Sequence, residues 1–434
     1  MRLSSLLRGA ALFTLATGAI GAAHAQSTTP PLQTSWSGAP QTQQGEQRFK
    51  VRGRLQYDFF SVNADFDGDG NNDGDILDAG EGAGAFDQSY NRTATRRFRL
   101  GVEGRFSDEW RYKAEVTLLG NSSDGVDEVQ FEDVFVEYAG RNFSLIIGNN
   151  KAVAPLEEIT SSRFITFNER SGMINAFGFG RQVGVAFITN GANWSWGASL
   201  SGDSANSSEA TNASESWTAI TRLTFAPILQ QSPDGLHLLH LGGTVRYRDN
   251  GDDAAFRYRT RPAGVGFQDR FVDTGAIGVT DTFYGFEAAY VYGPFSLQGE
   301  YGWLSAERAA GADQEMSSWY IDGIWNLTGE SRNYRSSDGS FQRPTVRSAV
   351  GDGGWGAWQI AARYEQTDLT DVVRGGEQSA YTLGLHWYPH PYVGFKLNYG
   401  HTDVDDGVGN AAPSLTNFRN GDVDVISLRT QFDF

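Results

Sequence analysis

The sequence predicts an antiparallel transmembrane β-barrel of about 16 strands. Three observations predict it: short segments alternate apolar and polar side chains, the connections between them alternate in length, and 13% of residues are aromatic although only 39% are hydrophobic. A strand places successive side chains on opposite faces, so each segment has one apolar and one polar face. This repeat is typical of barrels of the bacterial outer membrane, whose single chains have even numbers of strands.

The N-terminal residues have the features of a secretory targeting segment. Two arginines precede the short apolar stretch Ala10–Ile20, and Ala23-His24-Ala25 has the small-x-small form of a cleavage site. The apolar stretch is too short to span a membrane as a helix. We therefore expect export from the cytoplasm and insertion into the bacterial outer membrane, in contact with its lipid. The predicted divisions are a signal peptide (1–25), a polar leader (26–47) and a barrel (48–434).

Composition and charge exclude several classes of protein. The chain has no cysteine, which excludes a disulfide framework and thiolate metal sites. Its formal net charge is −17, and loss of the two arginines of the targeting segment takes it to −19, which argues against a nucleic-acid partner. No pattern indicates a cofactor. A closed, hydrogen-bonded barrel would hold a secreted chain of this size together without disulfides.

The alternation is clearest in the segment Phe49–Phe59, where odd positions are apolar or glycine and even positions are charged or polar. The last segment, Ile426–Phe434, alternates in the same way and ends on a phenylalanine, the kind of final strand that outer-membrane insertion machinery recognises in barrel proteins. A soluble β-sandwich or β-helix is the alternative, but such folds seldom point aromatic side chains outward along every strand. The pattern recurs in Trp110–Leu118, Phe295–Trp303, Trp358–Glu365 and Val393–Tyr399.

The connections set the expected topology, because outer-membrane barrels have short periplasmic turns and longer extracellular loops. Two connections, Ala226–Gly235 and Ser331–Gly353, lie at the periplasmic end, where short turns are expected, and yet are long. The short turns are Phe106–Glu109, Ala139–Asn142, Asn190–Asn193, Gly293–Pro294 and Pro389–Pro391. The long loops are Asn63–Arg92, Asn150–Gln182, Gly202–Ser216, Asn250–Asp281 and Asp403–Gly421.

Positive charge is concentrated on the predicted inner face, while the excess of acid lies in loops, above all in Asp65–Asp75. Rings of arginine and lysine in a pore favour anions, and low-dielectric walls concentrate their field. The alternative for any one arginine is an ion pair that only stiffens the wall. Arg96 has outward parity, so it must lie above the membrane, turn inward or follow a bulge. The predicted basic wall includes Lys50, Arg52, Arg99 and Arg248.

The loop Asn150–Gln182 is the predicted constriction. It is too long for a tight hairpin, and loops of this length usually carry function. A wide barrel leaves an aqueous lumen, so some element must narrow it before it can select among solutes. We therefore expect this loop to fold inward.

The acidic loop partly matches a calcium site. Asp65, Asp67 and Asp69, with Asp73 further on, are spaced like the start of an EF-hand loop, but Ile76 occupies the position that needs a bidentate glutamate. Two interpretations stay open: a loop ordered by Ca²⁺ and a solvated acidic loop.

Short motifs, in order along residues 48–434, resemble the phosphate-selective porin O/P family of Gram-negative outer membranes. Each motif is weak alone, and the resemblance depends on the ordered set. The motifs are Gly53-Arg54-Leu55-Gln56, Arg96-Arg97, Leu156–Arg163 with Glu169-Arg170, Phe225-Ala226-Pro227, His240-Leu241-Gly242, Tyr247-Arg248-Asp249, Leu327–Glu330, Thr382-Leu383-Gly384 and Trp387-Tyr388.

The resemblance implies a homotrimer of 16-stranded barrels, each with inward-folded loops and an arginine-lined path to a central anion site. The chain departs from the family at Glu158, where the phosphate-binding member has a lysine, and a carboxylate there would repel phosphate. The residues that the resemblance assigns to the anion site are Arg54, Arg96, Arg97, Ser161, Ser162, Arg163 and Arg170.

The sequence therefore predicts passive, anion-selective diffusion, with phosphate or related oxyanions as the solutes. The alternative is a general or organic-solute porin with weak anion preference and no phosphate specificity. A third class, an outer-membrane enzyme such as a barrel lipase, is disfavoured because the histidines show no serine and aspartate partner pattern.

Overall fold

The computed structural model describes residues 30–36, 38–68, 86–118, 129–207, 216–251, 256–263, 270–372, 375–407 and 418–434. The predicted signal peptide (1–25) lies outside them. The end of the predicted leader forms two short antiparallel strands, β1 (Gln33–Trp36) and β2 (Pro40–Gln44). β2 pairs with the first residues of the next strand, Gln47–Lys50, so the leader extends the sheet at its periplasmic end.

The remaining strands follow in chain order. They are β3 (Gln47–Gly68), β4 (Phe86–Arg105), β5 (Trp110–Thr117), β6 (Gln130–Ala139), β7 (Phe143–Asn150), β8 (Gln182–Asn190), β9 (Trp194–Ser201), β10 (Trp217–Ser232), β11 (Gly235–Asp249), β12 (Phe256–Thr260), β13 (Val272–Tyr292), β14 (Phe295–Arg308), β15 (Gln314–Asn326), β16 (Tyr334–Arg335), β17 (Ser340–Phe341), β18 (Ala357–Asp368), β19 (Glu377–His390), β20 (Val393–Asp405) and β21 (Phe418–Asp433).

Sixteen of these strands close into one antiparallel barrel within the described part of the chain, which confirms the predicted fold class. The barrel closes where β21 pairs with β3, with Asp433 opposite Arg54. Five of the described strands lie outside the closed ring. They are β1 and β2 at the periplasmic end, β12, which pairs with the extracellular end of β13, and β16 and β17, which form a hairpin with each other.

The two faces of the wall differ in chemistry, as the alternation predicts. In β14 the outward side chains Leu297 and Tyr301 are 48% and 44% exposed, whereas the inward Gln298 and Glu300 are buried. An exposed apolar outer face suits lipid, and the buried polar groups need partners inside the barrel. Within the described residues, no helix combines the length and the apolar character needed to cross a membrane.

The two connections that are long at the periplasmic end have different explanations. The predicted long connection Ala226–Gly235 is wrong, because β10 continues to Ser232 through a bulge between Phe225 and Ile228. The bulge accommodates Pro227, which cannot donate to a regular ladder. Residues 327–356 do form a long connection, and its hairpin folds back into the lumen. There the Arg222 guanidinium donates to the carbonyls of Asp338 (2.6 Å) and Gly339 (2.9 Å).

The acidic loop after β3 is shorter than predicted, because β3 extends to Gly68 and β4 begins at Phe86. Asp65 and Asp67 therefore belong to a strand that pairs on both edges, where the prediction expected a loop. Asp69 and Asp73 lie outside the described residues. The calcium site stays a prediction.

Residues 151–181, which we call the inner loop, fold into the lumen and confirm the predicted inward folding. The loop contains two short helices, α1 (Leu156–Ile159) and α2 (Gly172–Phe177). The first N–H groups of a helix lack partners within the helix. Here carboxylates of the barrel wall accept hydrogen bonds from two of these N–H groups. The N–H of Leu156 donates to Glu287 (3.0 Å) and that of Glu157 donates to Glu300 (2.9 Å).

Candidate functional site in the barrel lumen

A cavity of about 650 Å³ lies between the inner loop and the inner face of strands β3 to β8. Eleven of the described side chains that line it are basic and five are acidic. The acidic ones are Glu103, Asp133, Glu137, Glu158 and Asp338. The cavity therefore has a net positive lining, although the whole chain is strongly acidic.

The arginines of β3 differ in how their charge is balanced. Arg52 is paired with Glu103 and lies 3.0 Å from Glu115, so carboxylates neutralise it. Arg54 is 4.0 Å from Glu115, and its Nη1 donates to the hydroxyl of Ser162 at 2.5 Å. The Nε of Arg54 has no hydrogen-bond partner among the described residues. Arg54 thus retains donor capacity at the cavity wall.

The arginines of β4 show the same contrast. Arg99 lies 2.5 Å from Glu132, whereas Arg97 donates to the amide oxygen of Gln56 at 2.8 Å and lies 3.7 Å from the nearest Glu169 oxygen. Both line the cavity. The alternative of simple ion pairing therefore fits Arg52 and Arg99 better than Arg54 and Arg97.

Arg96 turns inward through a bulge, one of the three possibilities that its parity left open. The β3–β4 register pairs Gln56 with Arg97 and Tyr57 with Thr95, so Arg96 is the extra residue. Its guanidinium forms two hydrogen bonds with Glu169, at 2.8 and 3.0 Å. Burial alone would raise the pKa of Glu169, but its arginine neighbours hold that pKa well below its ordinary value. Arg96 does not line the cavity and instead fixes the inner loop.

The inner loop brings Ser161, Ser162, Arg163 and Arg170 to the cavity. Arg163 lies 3.4 Å from Asp433 and 5.0 Å from the ring centre of Phe164. The predicted loop residues therefore line one space together with Arg54 and Arg97.

Glu158 also lines the cavity, but it is not a free carboxylate. Its oxygens pair with Lys151 and with the Nε of Arg170, the latter at 2.8 Å. Burial alone would raise the pKa of Glu158, but Arg170 and Lys151 hold it below its ordinary value, so the group stays ionised. Burial, against the opposing effect of Glu158 and with a contribution from nearby Arg170, lowers the pKa of Lys151 to about 7.

Two residues of the predicted basic wall lie away from this cavity. Lys50 faces the periplasmic end, where β3 also pairs with β2. Arg248 forms hydrogen bonds of 3.0 and 3.1 Å with Asp281 near the other end of the barrel. Of the predicted anion-site residues, all except Arg96 line the cavity.

Sequence reasoning missed two groups of residues. The first is the periplasmic hairpin, which brings Arg335 and Asp338 to the cavity although nothing in its pattern indicates an inward turn. The second is β12, on which Arg257 and Arg259 alternate. Their guanidinium nitrogens lie 2.6 and 3.9 Å, respectively, from a carboxylate oxygen of Asp273. The alternation of Phe256–Thr260 could have indicated this second group.

A closed barrel with a lipid-compatible outer face and a charged inner cavity defines an outer-membrane porin, which is a channel and not an enzyme. The chain belongs to the phosphate-selective porin O and P family, whose model matches residues 49–434. It therefore resides in the bacterial outer membrane.

Individual relatives agree with this assignment. An uncharacterized protein of Caulobacter vibrioides is 31% identical over 94% of this chain and 79% of its own length. Porin O of Pseudomonas aeruginosa is 26% identical over 89% of this chain and 88% of its own length. Among solved structures, the anion-selective porin from Comamonas acidovorans has a TM-score of 0.53 at 12% identity, covering 90% of this chain and 100% of its own. That likeness supports the fold.

Proposed function

We propose that this porin conducts small anions passively, phosphate or related oxyanions among them, and that the arginine-lined cavity is its constriction. The observation that carries the proposal is the incomplete neutralisation of Arg54 and Arg97 at a cavity whose lining is net positive. Basic side chains in a narrow, low-dielectric passage raise the local concentration of anions. The planar guanidinium can also donate two parallel hydrogen bonds to an oxyanion.

The hydroxyls of Ser161 and Ser162 lie at the same cavity and add neutral donors for an oxyanion. The name of the Comamonas acidovorans porin and the family description agree with anion transport.

We further propose the homotrimer that the family resemblance implies. Size-exclusion chromatography with light scattering on the detergent-solubilised protein tests it, and a monomeric mass would contradict it.

The decisive experiment is the reversal potential in planar bilayers under a KCl gradient. The wild-type channel is expected to prefer chloride over potassium, and Arg97→Glu is expected to shift the preference toward potassium. Arg105→Glu is the matched control, because Arg105 is on the same strand, pairs with Asp108 at 2.9 Å and does not line the cavity. An Arg97→Glu channel with unchanged selectivity would remove Arg97 from the pathway.

A second candidate, a general or organic-solute porin, is favoured by one observation: five carboxylates share the cavity lining, Glu158 among them. Fixed negative charge weakens the attraction for a multiply charged anion more than for chloride. Titration of phosphate against the chloride current separates the two functions. Block at submillimolar phosphate supports oxyanion transport, whereas a current that phosphate leaves unchanged supports the general porin.

A further inference from the structure

A histidine and two aspartates meet on the outer face of the barrel, at the extracellular ends of β20 and β21. His401 pairs with Asp424 across the two strands, and Asp422 lies two residues before Asp424 on the same face. One side-chain donor atom from each of the three residues lies within 4.8 Å of the other two. Together they offer an imidazole nitrogen and two carboxylate oxygens around one point.

This group lies beside outward-facing tyrosines and is open to water. Tyr399, two residues before His401, is exposed on the same face, and the ring of Tyr381 stacks on the imidazole of His401. Tyrosine is enriched where a membrane meets water. The side chains of His401 and Asp424 are 25% and 36% exposed, so an aqueous ion can reach their donor atoms.

The imidazole is oriented by a carboxylate at each of its nitrogens. Nδ1 of His401 lies 3.0 Å from Oδ1 of Asp424, and Nε2 lies 3.2 Å from Oδ1 of Asp403. The hydroxyl of Tyr399 donates to the same Asp424 oxygen at 2.7 Å. Histidine ligands of metals commonly donate the second ring N–H to a carboxylate, which fixes the tautomer that leaves the other nitrogen free to bind. Asp403 is placed for this role, and Nδ1 then faces the ligand carboxylates.

The surrounding negative charge is only partly neutralised by described side chains. The strand register sets Asp422 directly opposite Asp403 on one side and Asp65 on the other. Like charges directly opposite each other destabilise a sheet. Among the described residues, no lysine or arginine forms an ion pair with these three aspartates, and His401 carries at most one positive charge. This row of carboxylates therefore favours a bound cation of higher charge.

We propose that His401, Asp422 and Asp424 bind a divalent transition-metal ion, of which zinc best suits one imidazole and two carboxylates. Donors about 2.1 Å from one metal ion lie about 3.0–3.4 Å from each other at octahedral or tetrahedral angles. Nδ1 of His401 and Oδ1 of Asp424 already have such a separation, at 3.0 Å. Asp422 is half-buried and has no ion pair with a described residue to lose, so a small rotation of its carboxylate completes the set.

The bound ion links β20 to β21, next to the seam where β21 pairs with β3. The site differs from the predicted calcium site, because neither Asp65 nor Asp67 is a ligand in it. It is also independent of the proposed function, since its donors lie on the outer face of the barrel and do not line the cavity of the proposed constriction.

The test is zinc binding to the detergent-solubilised porin, with the metal content measured after equilibrium dialysis. The wild type is expected to bind one zinc ion per chain, and His401→Gln and Asp422→Asn are each expected to weaken binding by about tenfold or more. His390→Gln is the matched control, because His390 is exposed at the periplasmic end of β19. Asp405→Asn is the control for charge, because Asp405 is exposed near the site and is not one of the three donors. Both controls are expected to bind zinc as the wild type does.

Calcium distinguishes a metal site from an acidic surface that merely attracts cations. Calcium is expected to bind more weakly than zinc, because it prefers ligand sets made of oxygen alone. Equal binding of the two ions, or zinc binding that neither His401→Gln nor Asp422→Asn weakens, would overturn the inference.

Crystals soaked in zinc chloride give the second measurement. An anomalous peak at the zinc edge is expected about 2.0–2.2 Å from Nδ1 of His401 and from carboxylate oxygens of Asp422 and Asp424. Wild-type crystals without a peak at this place would overturn the inference. The anion selectivity of the channel is measured separately by the reversal potential, so either result leaves the proposed function standing.

Discussion

At the scale of single residues, the net charge of the cavity depends on one carboxylate that partly neutralises two cationic side chains. Glu158 pairs with Lys151 and Arg170, and all three line the cavity. Replacing Glu158 by glutamine keeps the shape and removes one negative charge. Whether Glu158 repels phosphate, as the sequence predicts, therefore depends on the net charge of the cavity lining.

Glu158→Gln, made in the Lys151→Arg background, is expected to increase the preference for anions and to strengthen phosphate block, because Arg170 would lose the carboxylate that neutralises it. The background is needed because Glu158 raises the pKa of Lys151, and its removal would discharge that lysine. Reversal potentials and phosphate titrations measure both effects. Glu109→Gln is the control, since Glu109 lies in a periplasmic turn and does not line the cavity. An anion preference that falls in Glu158→Gln would contradict this account.

Lys151 is expected to make the selectivity depend on pH. Its pKa of about 7 means that it is about nine-tenths charged at pH 6 and about one-tenth charged at pH 8. Raising the pH through 7 therefore removes a positive charge from the cavity, and anion preference is expected to fall. Lys151→Arg stays charged throughout this range and should abolish most of the change. A wild-type reversal potential that is constant from pH 6 to 8 would show that Lys151 keeps its charge.

At the scale of elements, the inner loop is held from both sides of the barrel by groups of opposite charge. Wall carboxylates bind the N-terminus of α1, and a lysine of β20 binds the loop further on. The Nζ of Lys396 is buried and donates to the carbonyls of Ile165 (2.6 Å) and Thr166 (3.2 Å). The position of the loop therefore depends on a few buried polar contacts.

Lys396→Met is expected to release residues 165–168 from the wall, because two buried carbonyls lose their donor at a cost of about 1–3 kcal/mol each. We expect a lower unfolding temperature and larger fluctuations in single-channel current. Lys50→Met is the control, since Lys50 is a wall lysine away from the inner loop. Quiet channels with an unchanged unfolding temperature would show that this lysine does not hold the loop.

At the scale of the whole molecule, the barrel closes at the C-terminus, where Phe434 meets β3. The backbones of Gly53 and Phe434 exchange two hydrogen bonds, each of 3.1 Å. A Cβ at position 53 would lie 2.3 Å from the Phe434 ring. A side chain at position 53 would therefore force the terminal ring to move away from β3.

Gly53→Ala is expected to displace the terminal ring and destabilise the closed barrel by about 1–3 kcal/mol, as overpacking typically does. The measurement is the temperature at which the folded barrel loses its faster mobility in SDS gels. Gly323→Ala is the matched control, because a Cβ there would meet no atom within 4 Å. Equal heat resistance of the two variants would contradict the proposed role of Gly53.

The sequence by itself determined the barrel, its strand number and the inward direction of Arg52, Arg54, Arg97 and Arg99. These follow from a period of two, which is a local property of a strand and is visible along the chain. It also indicated that residues 150–182 fold inward, because a wide lumen must be narrowed. The bulge at Arg96 was one of several possibilities, since parity alone does not locate the extra residue.

Only the tertiary structure decided which arginines keep their charge available. Arg54 meets Ser162, Arg96 meets Glu169, and Arg222 meets the periplasmic hairpin, all across long separations in sequence. An ion pair forms when two strands or loops bring opposite charges within a few ångströms, and barrel closure sets those distances. The alternating pattern fixes the face that a side chain occupies, but the partner it meets depends on register and on how the loops fold into the lumen.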